Sequence, residues 1–370
     1  MKKLICMLLA LSLLLCGCGG AAAPATTEAS TTAAETTEEA TTEAPTTEAP
    51  TTEEPTTEPA PVYTNPLNGK TLDAPFTGRV YAVSISNIRG ALPHYGTMNA
   101  DILMEMWVNG SIIRDLALFT DPAQSEAIGS VRSVRLMFNE IVKHYDAVLF
   151  DAGGSEQVLL NARKMGIDRF NIDTQKDSGY SFRNTDRAYT FPNESGWEHC
   201  LFARGDQLEA LAQEKGFRTT QPEDKDYNLR FREDGTPEDG EPAENITVTF
   251  TYRSTRKDTS MVYDAALGKY VYNQYDKAMV VGDTEDPECF NNVIVMLADI
   301  TTDGIYYTAD FVKGGQGYYA NGGKIIPITW GAEDEESPFW FKTLDGEPLE
   351  LGVGNTYIAI APENSPVSYQ

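Results

Sequence analysis

The sequence predicts an α/β or α+β N-terminal domain with a mixed sheet, followed by an all-β C-terminal domain. Two observations support this prediction. Between residues 63 and 220, runs rich in β-branched residues alternate with segments whose apolar residues recur at helical spacing. After a charged stretch rich in Pro and Gly at 221–243, interpreted as a linker or long loop, strand-like runs separated by Gly-containing turns fill 244–362. Residues 363–370 form a short C-terminal tail.

The composition excludes one broad class of partner. The chain has 370 residues, with 29 Lys and Arg against 55 Asp and Glu, and a formal net charge of −26. Binding to nucleic acid requires clustered Lys and Arg side chains that neutralise phosphates, so we expect no nucleic-acid partner. The five cysteines lack CxxC spacing and the chain has three histidines, so we predict no metal site and no cofactor.

The N-terminus has the pattern of a secretory signal. An apolar run after Met1–Lys3 is shorter than the ~20 residues that span a bilayer. The following LCGC segment resembles a bacterial lipobox, in which a peptidase cuts before a lipid-modified cysteine, and Cys18 fits because Gly17 is small. We predict that residues 1–18 are a lipoprotein signal peptide with lipidated Cys18, the alternative being an ordinary signal peptide. Acyl chains on Cys18 would anchor the protein to the outer face of the membrane, an extracytoplasmic location.

Residues 19–62 have the composition of a tether. They are rich in Thr, Glu, Ala and Pro and repeat a five-residue TTEAP-like unit. This segment has no aromatic or large aliphatic side chain before its last residue. It therefore cannot form an apolar core whose burial would offset the conformational entropy lost on ordering the chain. We predict a disordered spacer that holds the folded part away from the membrane, and a glycosylated stalk would serve as the same spacer.

A hairpin is predicted after a strand at Arg79–Asn87. Two strand-like runs are separated only by Asn109-Gly110, a pair favoured in two-residue type I′ turns, and they span Asp101–Val108 and Ser111–Thr120. A two-residue loop places Glu105 opposite Arg114. An opposite-charge pair across a hairpin is either an ion pair that specifies the fold or part of a site, and both interpretations remain open.

The next segment predicts a helix that begins at Ser130. Apolar residues then recur at helical spacing, at Val131, Val134, Phe138, Ile141, Val142 and Tyr145. Arg132 and Arg135 would lie on the opposite face, close to the free N–H groups and the positive dipole end of the helix. Cations there are unfavourable unless an anion binds. We therefore predict an anion site at these two arginines.

A second helix N-terminus follows directly along the chain. The buried strand Ala147–Asp151 leads through Gly153-Gly154-Ser155 into a helix at Glu156–Lys164 that ends at Gly166. A glycine loop between a strand and a helix receives phosphate or carboxylate, although a tight turn is its commoner meaning. Ligands in α/β sheets bind beyond the carboxyl ends of strands, where these loops would lie. The alternative is an internal network in which a carboxylate supplies the negative charge, from Asp101, Glu105 or Asp151.

Downstream residues are less informative. Arg183, Arg187 and His199 lie in a segment of irregular composition, where His199 is either a structural histidine or part of a polar site. Cys200 and Cys289 are either a disulfide or two free buried thiols.

The C-terminal segment contains strand-like runs at Ile246–Tyr252, Lys269–Tyr272, Ala278–Val281, Val293–Ala298, Gly304–Phe311, Lys324–Thr329 and Tyr357–Ile360. Its aromatic residues are interpreted as core or cross-strand pairs in preference to a sugar-binding platform. Asp299 and Asp303 flank a turn, and we interpret them as solvated residues in preference to a Ca²⁺ site.

Several short motifs together resemble the YerB-like family of bacterial lipoproteins, whose two domains of unknown function correspond to about Asn65–Pro362. The matching segments are NIRGA at 87–91, ADI at 100–102, GSVRSVR at 129–135, AGGS at 152–155, Glu105, Arg114, Arg187, Glu198-His199 and Ile328–Trp330. The chain departs from the family pattern at 92–95, so His94 is not counted as a site residue, and at Ser130. The resemblance implies a fold and a location without an established reaction.

Two classes of function follow. The first is an envelope lipoprotein that binds an anionic small ligand or a cell-wall polymer. The second is an enzyme, because the segment from Tyr145 to Asp168 is similar to part of the LytR-CpsA-Psr phosphotransferases, which use arginines and acidic residues around a lipid-linked pyrophosphate. Binding is favoured, and no catalytic residue is assigned. The predicted ligand-binding residues are Arg132, Arg135, Gly153, Gly154, Ser155, Asp101, Glu105, Arg114, Asp151, Arg187 and His199.

Overall fold

The computed structural model describes residues 61–173, 177–185, 196–252, 255–282 and 284–370. Cys18, the tether up to residue 60 and Arg187 therefore lie outside the described residues. In these described ranges, no helix has the length and apolar character required to cross a membrane.

The N-terminal segment contains both helices and strands. Its α-helices are α1 (Leu136–His144), α2 (Glu156–Lys164) and α3 (Leu208–Glu214). One-turn 3₁₀ helices span Arg89–Ala91, Thr97–Asn99, Pro122–Gln124, Gly196–His199 and Gly205–Gln207. The strands are β1 (Tyr63–Thr64), β2 (Thr71–Leu72), β3 (Tyr81–Ser86), β4 (Ile102–Asn109), β5 (Ile112–Phe119), β6 (Ile128–Gly129), β7 (Val148–Asp151), β8 (Arg169–Asn171), β9 (Ser181–Arg183) and β10 (Leu201–Ala203).

The elements described after residue 220 are strands. They are β11 (Arg230–Arg232), β12 (Glu241–Pro242), β13 (Asn245–Tyr252), β14 (Thr255–Asp264), β15 (Lys269–Gln274), β16 (Lys277–Ala278), β17 (Cys289–Phe290), β18 (Asn292–Ala298), β19 (Ile300–Thr302), β20 (Tyr307–Ala309), β21 (Gly315–Asn321), β22 (Lys324–Gly331), β23 (Trp340–Thr343), β24 (Glu350–Gly352), β25 (Thr356–Pro362) and β26 (Val367–Tyr369). The predicted mixed sheet is confirmed, and strands predominate over helices in the described part of the chain.

One eleven-stranded mixed sheet joins the two segments. Its order is β12-β22-β21-β18-β25-β4-β5-β3-β7-β8, with β23 also paired to β22. The strand β25, close to the C-terminus, lies between β18 and β4 and runs parallel to both. Strands β4, β5 and β3, adjacent in that order, are covered on both faces, which explains their nearly continuous apolar sequences. Residues from both segments therefore build a single core within Ala60–Gln370.

Smaller sheets surround this core. Strands β13–β17 and β26 form a six-stranded sheet, and β6, β9 and β10 form a three-stranded one. The acidic stretch at 221–243 is held at two places, because β11 pairs with β24 and β12 pairs with β22. This stretch lies against the folded unit along part of its length.

The predicted register of the β4–β5 hairpin is wrong by one residue. Glu105 lies opposite Asp115 and not opposite Arg114, because β4 contains an irregularity between Trp107 and Asn109. Strand side chains alternate between faces, so a shift of one residue sends Glu105 and Arg114 to opposite faces of the sheet. The predicted ion pair does not form, and each of the two charged side chains has a different environment.

The predicted start of helix α1 at Ser130 is also wrong. The helix begins at Leu136, with Arg135 at its N-cap position. Residues 130–134 are instead held beside strands: the Ser86 amide donates to the Ser130 carbonyl, and the Arg132 amide donates to the Ser84 carbonyl at 2.8 Å. These long-range hydrogen bonds outweigh a local helical preference, which is a weak determinant of structure. By contrast, α2 has the predicted bounds and is capped by Ser155.

Candidate functional site

Three arginines converge beside the segment that precedes α1. Arg114 on β5 and Arg135 both donate hydrogen bonds to the carbonyl oxygen of Ser133. Burial lowers the pKa of Arg114 well below its usual range, and repulsion from Arg135 and Arg132 lowers this pKa further. We call Arg114, Arg132 and Arg135 the arginine cluster.

Arg114 lacks the partner that a buried guanidinium normally requires. It is 3% exposed, its Nε–H donates to no acceptor within the described residues, and no carboxylate there lies within ion-pair distance of it. Arg135 binds the Asn109 side chain at 2.9 Å and lies over the ring of Tyr306. Of the three arginines, Arg132 alone has an acidic partner within the described ranges, Glu198, at 3.0 Å in a partly exposed pair. The cluster thus concentrates positive charge in a strongly negative protein.

The glycine loop lies directly beside the arginine cluster. The Val134 amide donates to the Gly153 carbonyl at 2.9 Å, and the Ala152 amide donates to the Arg132 carbonyl at 3.1 Å. A side chain on Gly154 would approach Val134 to 3.0 Å, which explains the need for a small residue there. Tertiary structure therefore brings together the two loops whose proximity the sequence predicted. The Ser155 hydroxyl caps α2 by accepting from the Val158 amide at 3.5 Å.

Asp151 does not neutralise the arginine cluster. Its carboxylate is fully buried. It accepts two hydrogen bonds from Arg169 and one, at 2.7 Å, from the Gly153 amide. Burial raises the pKa of Asp151 to about 6, and the contacts with Arg169 act in the opposite direction. Asp151 supports the start of the glycine loop.

Asp101 lies in a separate network. Its carboxylate accepts from the amide and hydroxyl of Thr120, at 2.6 and 2.8 Å, and from the side chains of Asn65 and Asn68. Burial raises its pKa, and these hydrogen bonds oppose the rise. Asp101 ties the segment before β4 to the end of β5.

Glu105 belongs to an interior polar cluster built from both segments of the chain. Lys257 on β14 forms an ion pair with Glu105, and Tyr357 and Thr259 donate to the same carboxylate. Asn87 donates to Glu105 at 3.1 Å and to Asp115 at 2.9 Å. Glu105 and Asp115 are each fully buried, so these contacts replace the water that the carboxylates lose on folding.

His94 connects this cluster to a third acidic residue. Its Nδ1 lies 3.3 Å from Glu288, and its Nε2 lies 3.6 Å from Asp115. Thr97 donates to Glu288 at 2.6 Å. We call Glu105, Asp115, Lys257, His94 and Glu288 the interior polar cluster. Sequence reasoning missed four of these residues, because no local motif links positions that lie far apart along the chain.

Two further residues were predicted at the site. His199 is buried at the end of a one-turn helix, and Arg187 lies outside the described residues. Cys200 and Cys289 are buried free thiols. Within the residues that the structure describes, no group of three or more His, Cys, Asp or Glu side chains is arranged to hold a metal ion.

The sequence matches the two domains of one protein family. Residues 67–218 match the family described as "Protein of unknown function (DUF3048) N-terminal domain", and residues 246–358 match the corresponding C-terminal domain. Together the matched segments span more than half of the chain, so the chain belongs to the DUF3048 family.

A curated relative is "Putative lipoprotein YerB" of Bacillus subtilis (strain 168), which is 25% identical over 314 residues, covering 80% of this chain and 88% of that protein. The crystal structure of the YerB protein from Bacillus subtilis has the same fold, with a TM-score of 0.68 and 23% identity, covering 82% of this chain and 99% of that one. The predicted resemblance to the YerB-like family is confirmed.

Proposed function

We propose that this protein is a lipoprotein held at the outer face of the membrane by lipidated Cys18, and that its folded part binds an anionic group through the arginine cluster. The phosphate or carboxylate of a small ligand or of a cell-wall polymer has the required charge. The name of the Bacillus subtilis relative supports the lipoprotein assignment. The strands described after residue 220 support an all-β C-terminal domain as a further part of the proposal.

One observation carries the proposed binding: Arg114 is buried without a carboxylate partner among the described residues, beside two further arginines. A buried charge without a partner is strongly unfavourable, so its retention is best explained by an anion that joins it. Arg135, at the N-cap of α1, is held at the same carbonyl oxygen as Arg114. An anion bound by both would accept charge-assisted hydrogen bonds, each contributing about 1.5–3 kcal/mol.

The contacts of the acidic residues favour binding over phosphoryl transfer. A mechanism like that of the LytR-CpsA-Psr enzymes would need Asp101 or Asp151 beside the arginines. Asp151 is instead paired with Arg169, and Asp101 is engaged by Thr120 and two asparagines. Neither carboxylate is left free to assist transfer.

Titration calorimetry with pyrophosphate tests the anion site. We expect the full chain in detergent to bind pyrophosphate, and Arg135→Ala to weaken binding by about tenfold to a hundredfold, because one charge-assisted contact is lost. Arg132→Ala should weaken it less, since Arg132 already pairs with Glu198.

Arg256→Ala is the matched control for these variants. This arginine is 64% exposed and pairs with Asp258 on β14, so its removal should leave the affinity unchanged. If the wild-type chain binds no pyrophosphate, while each cluster variant lowers the melting temperature, the arginines serve the fold and the anion-site proposal is wrong.

The anchor makes a separate prediction. Cys18→Ala should release the protein from the membrane fraction or leave its signal peptide uncut, because the acylated thiol provides the attachment. Fractionation and immunoblotting measure both results. Cys16→Ala is the control, since Cys16 lies within the segment that is removed. Normal processing and unchanged membrane partitioning of the Cys18 variant would refute the anchor.

A further inference from the structure

A cavity of about 600 Å³ lies between the helices α1 and α2 and the hairpin β19–β20. Its volume is within the range of small-molecule sites in proteins. The lining residues used below are Glu140, His144, Asn161, Thr301, Thr308 and Phe311. None of them belongs to the arginine cluster or to the interior polar cluster, so the cavity is independent of the proposed anion site.

Two titratable side chains of α1 enter this cavity from the same face of the helix. Glu140 and His144 are four residues apart, the spacing at which helical side chains are neighbours. His144 is 2% exposed, and its Nδ1 lies 2.6 Å from the Ser337 carbonyl oxygen. Because a carbonyl only accepts, Nδ1 carries the proton and Nε2 is left as an acceptor. Nε2 has no partner among the described residues, and Phe311 and Phe339 hold the ring in place.

Glu140 supplies the complementary group. Its only hydrogen bond in the described part of the chain is a long one of 3.5 Å from the Ala309 amide, and no cation there pairs with it. Burial raises the pKa of Glu140 to about 8, and Glu335 contributes to the rise. At neutral pH the carboxyl is therefore protonated and acts as a hydrogen-bond donor.

Two of the other three carboxylates that line the cavity, Asp299 and Asp310, have partners within the protein, and Glu335 is the third. Lys313 pairs with Asp299 at 2.7 Å, and the Lys313 amide donates to Asp310 at 2.8 Å. The Asn161 side-chain oxygen accepts from Asn139 at 2.7 Å, which leaves the amide N–H groups of Asn161 as donors. Besides these carboxylates, the lining contains neutral donors and acceptors and an aromatic ring.

We propose that this cavity binds a neutral, hydroxyl-rich ligand of the sugar class. The Glu140 carboxyl donates to one ligand hydroxyl, and Nε2 of His144 accepts from another. The hydroxyls of Thr301 and Thr308 both donate and accept, and Phe311 offers an apolar surface to a sugar ring. A ligand bearing an ammonium group would instead require an ionised Glu140.

Calorimetry of the full chain in a detergent without sugar headgroups tests the proposal, with N,N′-diacetylchitobiose and cellobiose as probes. We expect at least one disaccharide to bind at pH 6.5 and to bind about tenfold more weakly at pH 9.5, because Glu140 ionises and loses its proton. The other titratable groups that face Glu140 are His144 on α1, Asp299 and Asp310 at the ends of the β19–β20 hairpin, and Glu335.

Three variants separate a binding role from a structural one. Glu140→Gln keeps a neutral donor, so binding at pH 6.5 should persist and the loss at pH 9.5 should disappear. His144→Phe keeps the aromatic packing but removes the acceptor, and should weaken binding about tenfold. Lys143 lies on the same helix and pairs with Glu336 outside the cavity. Lys143→Ala should therefore have no effect on sugar binding.

Three results would overturn the proposal. The first is that neither disaccharide binds. The second is that a disaccharide binds, but Glu140→Gln and His144→Phe change neither its affinity nor the pH dependence of binding. The third is that the alkylamine propylammonium binds more tightly than either disaccharide. Melting temperatures of the variants are measured alongside, so that a loss caused by unfolding is recognised. Should His144→Phe unfold, the pH profile of Glu140→Gln decides the question by itself.

Discussion

Lys257→Met is expected to lower the free energy of unfolding by about 3–5 kcal/mol, because it leaves the Glu105 carboxylate buried without its counter-ion. Glu105 is completely buried, and no second cation of the described residues lies within ion-pair distance of it. Its remaining contacts are neutral hydrogen-bond donors such as Thr259 and Tyr357. Urea unfolding of the wild-type and variant chains measures the loss.

The double variant Lys257→Met, Glu105→Gln provides the decisive comparison. A neutral amide removes the unpaired charge, so we expect the double variant to be more stable than Lys257→Met alone. Arg256→Met is the matched control on the same strand, because its ion pair with Asp258 is exposed and should contribute less than about 1 kcal/mol. A loss below about 1 kcal/mol for Lys257→Met, or no recovery in the double variant, would contradict the assigned role.

The second large effect concerns pH. Burial raises the pKa of Asp115 to about 8, and the neighbouring carboxylates Glu105 and Glu288 raise it further, while His94 and Lys257 oppose the rise. In the unfolded chain an aspartate has a pKa of about 3.9. Between these values the folded protein binds the proton of Asp115 more strongly, so the contribution of Asp115 to stability is greatest at low pH and is lost as the pH rises through 8.

His94 acts in the same direction. Burial alone would lower its pKa, but the contacts with Glu288 and Asp115 raise it above the ordinary value. A base with a raised pKa also contributes stability at low pH, and this contribution is lost as the pH rises through the folded-state pKa. The two groups therefore combine in favouring the folded state under mildly acidic conditions.

We expect the melting temperature of the wild-type chain to be lower at pH 8.5 than at pH 5.5. Asp115→Asn removes one titrating group and should reduce the pH dependence of the unfolding free energy by on the order of 2 kcal/mol. Asp345→Asn, an exposed position, is the control and should retain the wild-type profile. A wild-type melting temperature that is equal or higher at pH 8.5, or an unchanged profile in Asp115→Asn, would contradict this account.

The candidate site could be predicted only in part. The sequence correctly indicates that the loops at 132–135 and 153–155 lie together, although the first follows β6 in the three-stranded sheet and the second follows β7 in the eleven-stranded sheet. It indicates Arg114 as a candidate site residue but places it opposite Glu105, since the turn pair Asn109-Gly110 favours a register that differs by one residue from the one formed. The irregularity in β4 is selected by packing on both faces of the sheet, which local turn preference does not report.

The sequence named Glu105, but the partners that complete the interior polar cluster could not be predicted. Glu105 and Lys257 are 152 residues apart along the chain and meet because β14 packs near the sheet that contains β4. Their contact depends on which strands become neighbours. Periodicity and turn signals describe neighbours in sequence, so they carry no information about such a pair.

The sequence by itself determined the family, the mixed sheet and the bounds of α2, because short motifs and local periodicity encode these features directly. Only the tertiary structure decided the start of α1, the hairpin register and the partners of each buried charge. The insertion of β25 between β18 and β4 unites both segments in one sheet, and long-range pairing then overrides local preference. The energy of burying apolar surface and pairing buried charges exceeds the small differences in propensity that a local pattern reports.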